Sequence, residues 1–507
     1  MGKKSSILGG AILLTATNLF LRLISIGFNV FLSDQIGSSG LGLLQLISTV
    51  SLFSMLIGTS GVRVSAMYLS AEEFGHRRLG GVRLAMSACI RYGLIISTIV
   101  GVAQVLLADF FAVSWLNDVR AALSLRVMGL LLPFTCLSGI MTGYFTACGR
   151  IRQLVVIEIA ERIVCLMITV ALLLTWAKGD LEKSCCAIIL GSSLGAVLDF
   201  VLLYARYRRD MRHVKPLHEM ANMRKRLIKL CVPLALNDYL RSGLNTAEQL
   251  LIPYGLARYG GSTEQAMSDY GTIHAMVFPV LMFPAAVLYS VADLLVPELS
   301  RCRAMGRNLR IIDLTDKCLR LCTLFSTAVA GVLFLNADRL GQMIYKSADA
   351  GMYLQVFAPM IFMLYLDAIV DGMLKGLAEQ ISCVRYNTFT SVLDVAFLIL
   401  LLPRYGIGGY IFSFLVTHAI NLYLSLQRLL KVSKHQLRIL DLVNPLICVL
   451  PTIVISMLLP TQNIYLKGGF FLSMLFALFV LTDTLRQKDR TWIWRVVKKI
   501  DTSRSCR

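Results

Sequence analysis

The pentapeptides NLFLR, residues 18–22, and NDYLR, residues 237–241, each place an asparagine four residues before an arginine inside an apolar segment. Side chains four residues apart lie on one face of a helix, so each pentapeptide predicts a polar stripe on an otherwise apolar helix. Further polar residues at intervals of three or four extend both stripes. The first stripe holds Asn18, Arg22, Ser25 and Asn29, and the second holds Asn237, Arg241, Asn245 and Glu248.

The composition of the whole chain shows which solvent surrounds these stripes. Of 507 residues, 56% are hydrophobic and 16% are charged, and the mean hydropathy is +0.70. Soluble domains need a more polar surface, and about 20 apolar residues let a helix cross about 30 Å of hydrocarbon. Many apolar runs here are that long, so we expect a polytopic membrane protein.

The apolar runs predict an all-α fold with about fourteen transmembrane helices. Their length and their lack of period-two alternation argue against a membrane β-barrel. The predicted helices cover residues 7–32, 41–70, 85–107, 122–147, 154–176, 186–205, 230–257, 270–297, 317–336, 351–376, 384–403, 409–427, 441–459 and 463–485.

Basic residues fall mostly on one side of this helix arrangement. Lys and Arg collect in the cytoplasmic connections of a correctly inserted chain. With the N-terminus inside, the basic clusters at 76–78, 206–215 and 301–310 all share the cytoplasmic side. We therefore expect a multi-pass protein of the bacterial cytoplasmic membrane with both termini in the cytoplasm.

The two stripes belong to a longer internal repeat. An offset of 219 places Asn18 on Asn237 and Arg22 on Arg241, and a second correspondence follows at an offset of 229. Because six helices separate the copies, both enter the membrane from the same side. The repeat predicts an N-lobe at 1–205, a basic cytoplasmic connector at 206–229, a C-lobe at 230–431, two further helices at 432–485 and a basic interfacial tail at 486–507.

Charge and residue spacing argue against several partners. The formal net charge of +20 is spread over short loops with no nucleic-acid-binding motif, so we expect contact with membrane lipids and no nucleic acid. The thirteen cysteines and six histidines lack metal-ligand spacing. We expect no metal, no cofactor and no catalytic residue, and we expect the protein to be a monomer rather than part of an assembly.

Several short motifs resemble those of a known family. They are GSSGLGLLQ from residue 37, SGVRVSAMYLSAEE from 60, EIAER from 158 and LNTAEQLLIP from 244. In these motifs the chain is similar to the polysaccharide-biosynthesis, stage V sporulation protein B-like family of the multidrug/oligosaccharidyl-lipid/polysaccharide exporter superfamily. The resemblance implies two six-helix lobes around a central cavity, two further helices, and flipping or export of an undecaprenyl-pyrophosphate-linked saccharide.

The arginines of the stripes suit the chemistry of such a cargo. Arg22 lies roughly 21 Å along a hydrocarbon core about 30 Å thick, where a charged side chain normally faces a cavity or a partner. Arginine donates a planar fork of charge-assisted hydrogen bonds to phosphate and keeps its charge there. We predict that Arg22 and Arg241 hold one pyrophosphate from two sides. The predicted cavity residues are Arg22, Arg241, Asn18, Asn29, Asn237, Asn245, Glu248 and Asp367.

Three alternatives stay open at this point. The two arginines could tie helices together through Glu248, Asp238 or a backbone carbonyl. A cation-coupled exporter of drugs or metabolites would use carboxylates, for which Asp238 and Glu248 are available. A membrane glycosyltransferase or polymerase would need catalytic acids in sizeable outer loops, and the outer loops of this chain are short.

Overall fold

The computed structural model consists of helices joined by short turns. It describes residues 2–59, 61–215, 220–260, 262–435, 438–459 and 463–485, and no strand occurs among them. The predicted all-α fold is therefore confirmed. The tail predicted at 486–507 and part of the connector predicted at 206–229 lie outside the described residues.

The longer helices are numbered here in chain order. They are α1 (Gly2–Thr59), α2 (Val62–Gly75), α3 (Leu79–Leu106), α4 (Ala121–Ala147), α5 (Ile151–Leu172), α6 (Leu181–Asp210), α7 (Met220–Arg258), α8 (Thr263–Gly271), α9 (Ala285–Ala304), α10 (Asn308–Leu335), α11 (Ala337–Tyr345), α12 (Ala348–Phe357), α13 (Ile361–Gly376), α14 (Gln380–Ser433), α15 (Ile439–Met457) and α16 (Ile464–Leu481). Single turns of π- or 3₁₀-helix also occur, at Phe111–Trp115, Leu173–Ala177, Thr272–Val277 and Ala358–Met360.

Two of the longest helices contain a corner. Gly37 in α1 has φ 68° and Gly406 in α14 has φ 55°, a left-handed conformation that glycine adopts without steric cost. The corners separate the helices predicted at 7–32 and 41–70, and those predicted at 384–403 and 409–427. Each of α1 and α14 therefore corresponds to more than one predicted transmembrane helix.

Two predicted helices are interrupted in the structure. The run predicted at 41–70 stops at Thr59 and resumes at Val62, with Gly61 at φ 69° between α1 and α2. The run predicted at 270–297 is broken before α9 at Pro284, whose ring cannot donate a backbone hydrogen bond. Hydropathy alone missed both breaks, because a single glycine or proline barely changes the mean over a long apolar run.

Most of the described helices suit a membrane. Nine are long and apolar enough to span one, or ten if the bent pair Thr263–Met282 and Ala285–Ala304 forms one span. Two of the nine, Leu19–Gly75 and Gln380–Ser433, contain the glycine corners and so hold more than one helical segment. The protein is a multi-pass membrane protein, and the predicted number of fourteen helices is approximate.

The chain forms two compact units. Unit 1 comprises Met1–Ala275 and Asp394–Tyr410, and unit 2 comprises Met276–Leu393 and Ile411–Arg507. The two lobes expected from the sequence repeat, at 1–205 and 230–431, remain a prediction.

Each unit has its own apolar core. In unit 1, buried side chains of α2, α3, α4, α6 and the start of α7 pack together, with Tyr144 and Phe145 at the centre. In unit 2, Phe471 of α16 packs directly on Gly331 of α10, where a Cβ atom would lie 2.1 Å from the phenyl ring. The two C-terminal helices, α15 and α16, thus pack against α10 in the apolar core of unit 2.

Candidate functional site

The first predicted stripe lies in α1, before the corner at Gly37. Arg22 and Asn29 are both partly buried. The side-chain amide of Asn29 donates a hydrogen bond to the backbone carbonyl of Ala275, with Nδ2 and O 3.1 Å apart. Asn29 therefore ties α1 to the segment that follows α8. The side chain of Asn18 lies outside the described residues.

The second predicted stripe lies on α7. Arg241 and Asn245 are exposed, and Asp238, one turn before Arg241, is within electrostatic range of its guanidinium. An exposed arginine on a membrane-embedded helix faces a water-filled cavity or a partner rather than lipid. Asp238 is one of the acidic residues that the sequence analysis named as a possible partner of Arg241. The side chain of Asn237 lies outside the described residues.

The fourth predicted residue of α7, Glu248, has a different partner. Its carboxyl group is hydrogen-bonded to Asp394, which α14 contributes to unit 1. Tyr270 and Tyr410 lie within electrostatic range of Glu248. Tyr270 donates to the Oε1 atom of Gln249 at 2.7 Å, and the hydroxyl of Tyr410 lies 3.2 Å from the Nε2 atom of His274.

Asp367, the predicted site residue of unit 2, also has a partner that the sequence did not reveal. Asn421 of α14 donates its side-chain N–H groups to both carboxylate oxygens of Asp367, at 3.1 and 3.0 Å. On the same helix as Asp367, Asp371 accepts a hydrogen bond from Asn387 at 3.4 Å. Asp367 is thus part of a polar layer between α13 and α14.

A cavity of about 400 Å³ opens in unit 1 where α1 and α2 are interrupted at Gly61. Its polar lining residues are Thr59, Arg63, Thr146 and Asp238. Within the described part of the chain, none of the eight predicted site residues is among those that line it. The sequence signal for this cavity was the SGVR motif, in which a glycine interrupts an apolar run and an arginine follows two residues later.

The helical segment that ends at the Gly61 break begins after the corner at Gly37. A close contact between α1 and α8 lies at this beginning. A Cβ atom on Gly42 would lie 2.2 Å from the carbonyl oxygen of Met267, and one on Gly271 would lie 2.1 Å from that of Ser38. The hydroxyl oxygens of Ser38 and Ser268 are 2.6 Å apart. Small residues therefore let the two backbones approach without room for a larger side chain.

Comparison with known proteins assigns the chain to a family. The sequence profile of the family described as "Polysaccharide biosynthesis protein" matches residues 7–302, more than half of the 507 residues. The chain belongs to the polysaccharide biosynthesis protein family. The resemblance carried by the sequence motifs is confirmed, and the matched range includes both stripes and the cavity at Gly61.

Individual relatives and structures agree with this family. Stage V sporulation protein B of Bacillus subtilis (strain 168) is 22% identical over 415 residues, which cover 80% of this chain and 79% of that protein. The inward closed conformation of the lipid II flippase MurJ matches with a TM-score of 0.73 at 13% identity, covering 95% of this chain and 100% of the other. An inward-facing multidrug resistance MATE family transporter of the MOP superfamily matches with a TM-score of 0.59 at 16% identity, covering 83% and 96%. The chain has the same fold as these two proteins.

Proposed function

We propose that this protein is a flippase that moves undecaprenyl-pyrophosphate-linked saccharides across the bacterial cytoplasmic membrane by alternating access. The family is described as a polysaccharide biosynthesis family, and one protein with the same fold is a lipid II flippase. Both support a lipid-linked saccharide as the cargo.

The observation that carries the proposal is the placement of Arg22 and Arg241. They occupy equivalent positions of the sequence repeat, on α1 and α7, and both belong to unit 1. A pyrophosphate that enters hydrocarbon unaided meets an idealised solvation penalty on the order of 20 kcal/mol. Two guanidinium groups can replace its water with bidentate, charge-assisted hydrogen bonds.

The test is flipping of a fluorescent undecaprenyl-pyrophosphate saccharide by purified protein in liposomes. Each charge-assisted contact contributes about 1.5–3 kcal/mol, so Arg22→Ala and Arg241→Ala should each slow flipping about tenfold or more. Arg→Lys variants keep the charge without the fork and should be intermediate. The double Ala variant should be little worse than either single variant, because a single remaining arginine no longer holds the anion from two sides.

Rates are normalised to folded protein, since an arginine that only ties helices together would lower thermal stability and activity in parallel. Well-folded Arg22→Ala and Arg241→Ala variants with the full rate of flipping would remove the pyrophosphate-binding role and return both arginines to a structural one.

A cation-coupled exporter of drugs or metabolites is the second candidate function, and the Glu248–Asp394 contact favours it. Two carboxyl groups that share a hydrogen bond must hold a proton between them, and a metal cation can replace that proton. Such a pair on α7 and α14 would couple an ion gradient to conformational change.

Glu248→Gln separates the two candidates. The amide still makes a hydrogen bond to Asp394 but cannot release a proton, so an ion-coupled exporter should lose gradient-driven transport while it still binds substrate. A flippase that needs the pair only for packing should keep most of its activity. Loss of ion-driven uptake in vesicles, with flipping unchanged, would favour the exporter.

The proposed orientation has both termini in the cytoplasm. In a variant without native cysteines, Cys at Ser38 should then react with a membrane-impermeant thiol reagent added to intact cells. Cys at Gly75 or Asn308 should react only after the cells are opened. Reaction of the Asn308 position from outside would reverse or break this topology.

A further inference from the structure

The cavity of about 400 Å³ at Gly61 lies between closely packed helices. Gly143 of α4 packs on the first turn of α2, where its Cβ position is 2.5 Å from the carbonyl oxygen of Arg63. The aliphatic stem of Arg63 follows α4, with Cδ 3.8 Å from the Cβ position of Gly139. Asp238 of α7 completes the lining. The cavity is therefore lined by α1, α2, α4 and α7 of one unit.

The polar groups of this cavity have fixed hydrogen-bonding roles. Thr59 Oγ1 donates its proton to the carbonyl of Met55 at 2.8 Å, and Thr146 Oγ1 donates to the carbonyl of Thr142 at 2.7 Å. Both hydroxyl oxygens can therefore accept a hydrogen bond from a molecule in the cavity. Asp238 adds further acceptor oxygens, whereas Arg63 provides a fork of donors.

This set of groups fits a sugar that carries an acid. Sugar hydroxyls can donate to Thr59, Thr146 and Asp238, and a carboxylate can accept the bidentate fork of Arg63. Ligand cavities of about 300–1,000 Å³ hold small organic molecules, and this one has room for about one or two sugar rings. An organic cation would gain from Asp238 but would be repelled by Arg63.

We propose that this cavity is the binding site for the saccharide headgroup of the lipid-linked cargo, and that Arg63 selects headgroups that bear a carboxylate. The proposal rests on the flippase function proposed above. It divides the cargo between two sites, with the pyrophosphate at Arg22 and Arg241 and the sugar between α2, α4 and α7.

Arg63 could also bind the pyrophosphate of the cargo, because phosphate and carboxylate oxygens both accept hydrogen bonds from a guanidinium group. Two probes separate these sources. One carries glucuronate and the other glucose on the same undecaprenyl pyrophosphate, so they differ only in the sugar carboxylate. A residue that binds the pyrophosphate affects both probes equally, whereas a residue that binds the sugar acid affects only the first.

The experiment measures flipping of both probes by the full-length protein in liposomes, as a function of probe concentration. The wild-type protein should reach half-maximal flipping at a lower concentration of the glucuronate probe. Arg63→Gln should raise that concentration about tenfold for glucuronate and at most about twofold for glucose, as expected for loss of one charge-assisted contact. Arg63→Lys should fall between, and Arg91→Gln, an exposed arginine of α3 that does not line the cavity, should keep the wild-type preference.

A second measurement does not depend on turnover. A cysteine at Thr146 in a variant without native cysteines should react with a small thiol reagent, and the glucuronate probe should protect it more strongly than the glucose probe. Equal effects of Arg63→Gln on both probes, or no protection at position 146 by either probe, would overturn the headgroup site. If the wild-type protein flips both probes, such a result leaves the flippase function standing, whereas a wild-type protein that flips neither probe would remove the flippase proposal as well.

Discussion

The two ends of the helical segment Ser38–Gly75 are built in opposite ways. At the Ser38 end, Gly42 touches the backbone of Met267, and the hydroxyl oxygens of Ser38 and Ser268 are 2.6 Å apart. At the Gly61 break, roughly 35 Å from Ser38 along a helix with a rise of 1.5 Å per residue, a polar cavity of about 400 Å³ is open. One end is closed by backbone contact and the other end has room for a ligand.

This difference indicates how unit 1 would take part in alternating access. A protein that opens to one side of the membrane at a time needs one end packed while the other is accessible. Glycine and serine contacts suit the packed end, because they have no long side chains to reorder when they separate and meet again. Under the proposed mechanism, the contact between α1 and α8 would be a gate that opens during each cycle.

The largest effect is expected from locking this contact. With the native cysteines replaced, Ser38→Cys and Ser268→Cys place two thiols where hydroxyl oxygens lie 2.6 Å apart, close enough for a disulfide after small adjustment. Oxidation should reduce flipping in liposomes to background, and a reducing agent should restore it. Either single cysteine under the same oxidant should have no effect.

A second lock controls for the chemistry of oxidation. Cys448 lies 3.6 Å from the hydroxyl of Thr482, in the region of the two C-terminal helices. In a protein that keeps Cys448 as its one native cysteine, Thr482→Cys should cross-link to it without touching the contact at Ser38. Flipping should continue with this second lock in place. Full activity of the protein cross-linked between positions 38 and 268 would show that α1 and α8 do not separate.

Much of this fold could be predicted from the sequence, because hydropathy over about 20 residues reports directly on the membrane. The helix predicted at 122–147 is α4, Ala121–Ala147, and the corner at Gly37 falls between two predicted helices. The start of α7 at Met220 was missed because its first turns are basic rather than apolar. The length of an apolar run indicates how much of a helix is buried in lipid. It does not show how far the helix continues into the membrane interface.

The candidate site was less predictable, since its partners are set by packing. The repeat selected Arg22, Arg241 and Glu248 by their spacing, but no spacing rule relates Glu248 to Asp394 on a distant helix. Arg63 has no counterpart in the stripes, and its importance depends on a cavity that forms only when α2, α4 and α7 assemble. Periodicity identifies which face of a helix is polar, whereas tertiary contacts decide what that face meets.

A smaller effect is expected from Gly42→Ala, which would sharpen the contrast between the two ends. The added methyl group would lie 2.2 Å from the carbonyl oxygen of Met267, a backbone atom that cannot move aside alone. Overpacking of this kind costs about 1–3 kcal/mol, so thermal stability in detergent should fall. A cysteine at Ser38 should also react faster with thiol reagents, because the contact is loosened.

Gly27→Ala is the matched control within α1. Its added methyl group has no neighbour within 4 Å, and alanine favours a helix by up to about 1 kcal/mol relative to glycine. Stability should therefore stay the same or rise. If Gly42→Ala behaves like Gly27→Ala, the contact with α8 is looser than the structure shows, and the comparison between the two ends fails.

The smallest effect is expected beyond the cavity, where α7 meets the end of α2. Arg226 pairs with Glu72 and lies 3.6 Å from Glu73, and both Arg226 and Glu72 are largely exposed. Exposed ion pairs contribute about 0–1 kcal/mol and are screened by salt. Arg226→Gln should therefore lower stability by at most about 1 kcal/mol, with the difference shrinking in 0.5 M salt, and should change flipping by no more than about twofold.

Glu72→Gln should lower stability less than Arg226→Gln, because it leaves Arg226 beside the more buried Glu73. A large loss of flipping in Arg226→Gln at unchanged stability would instead mean that this end also has a gate, and that the two ends of Ser38–Gly75 alternate through specific contacts on both sides.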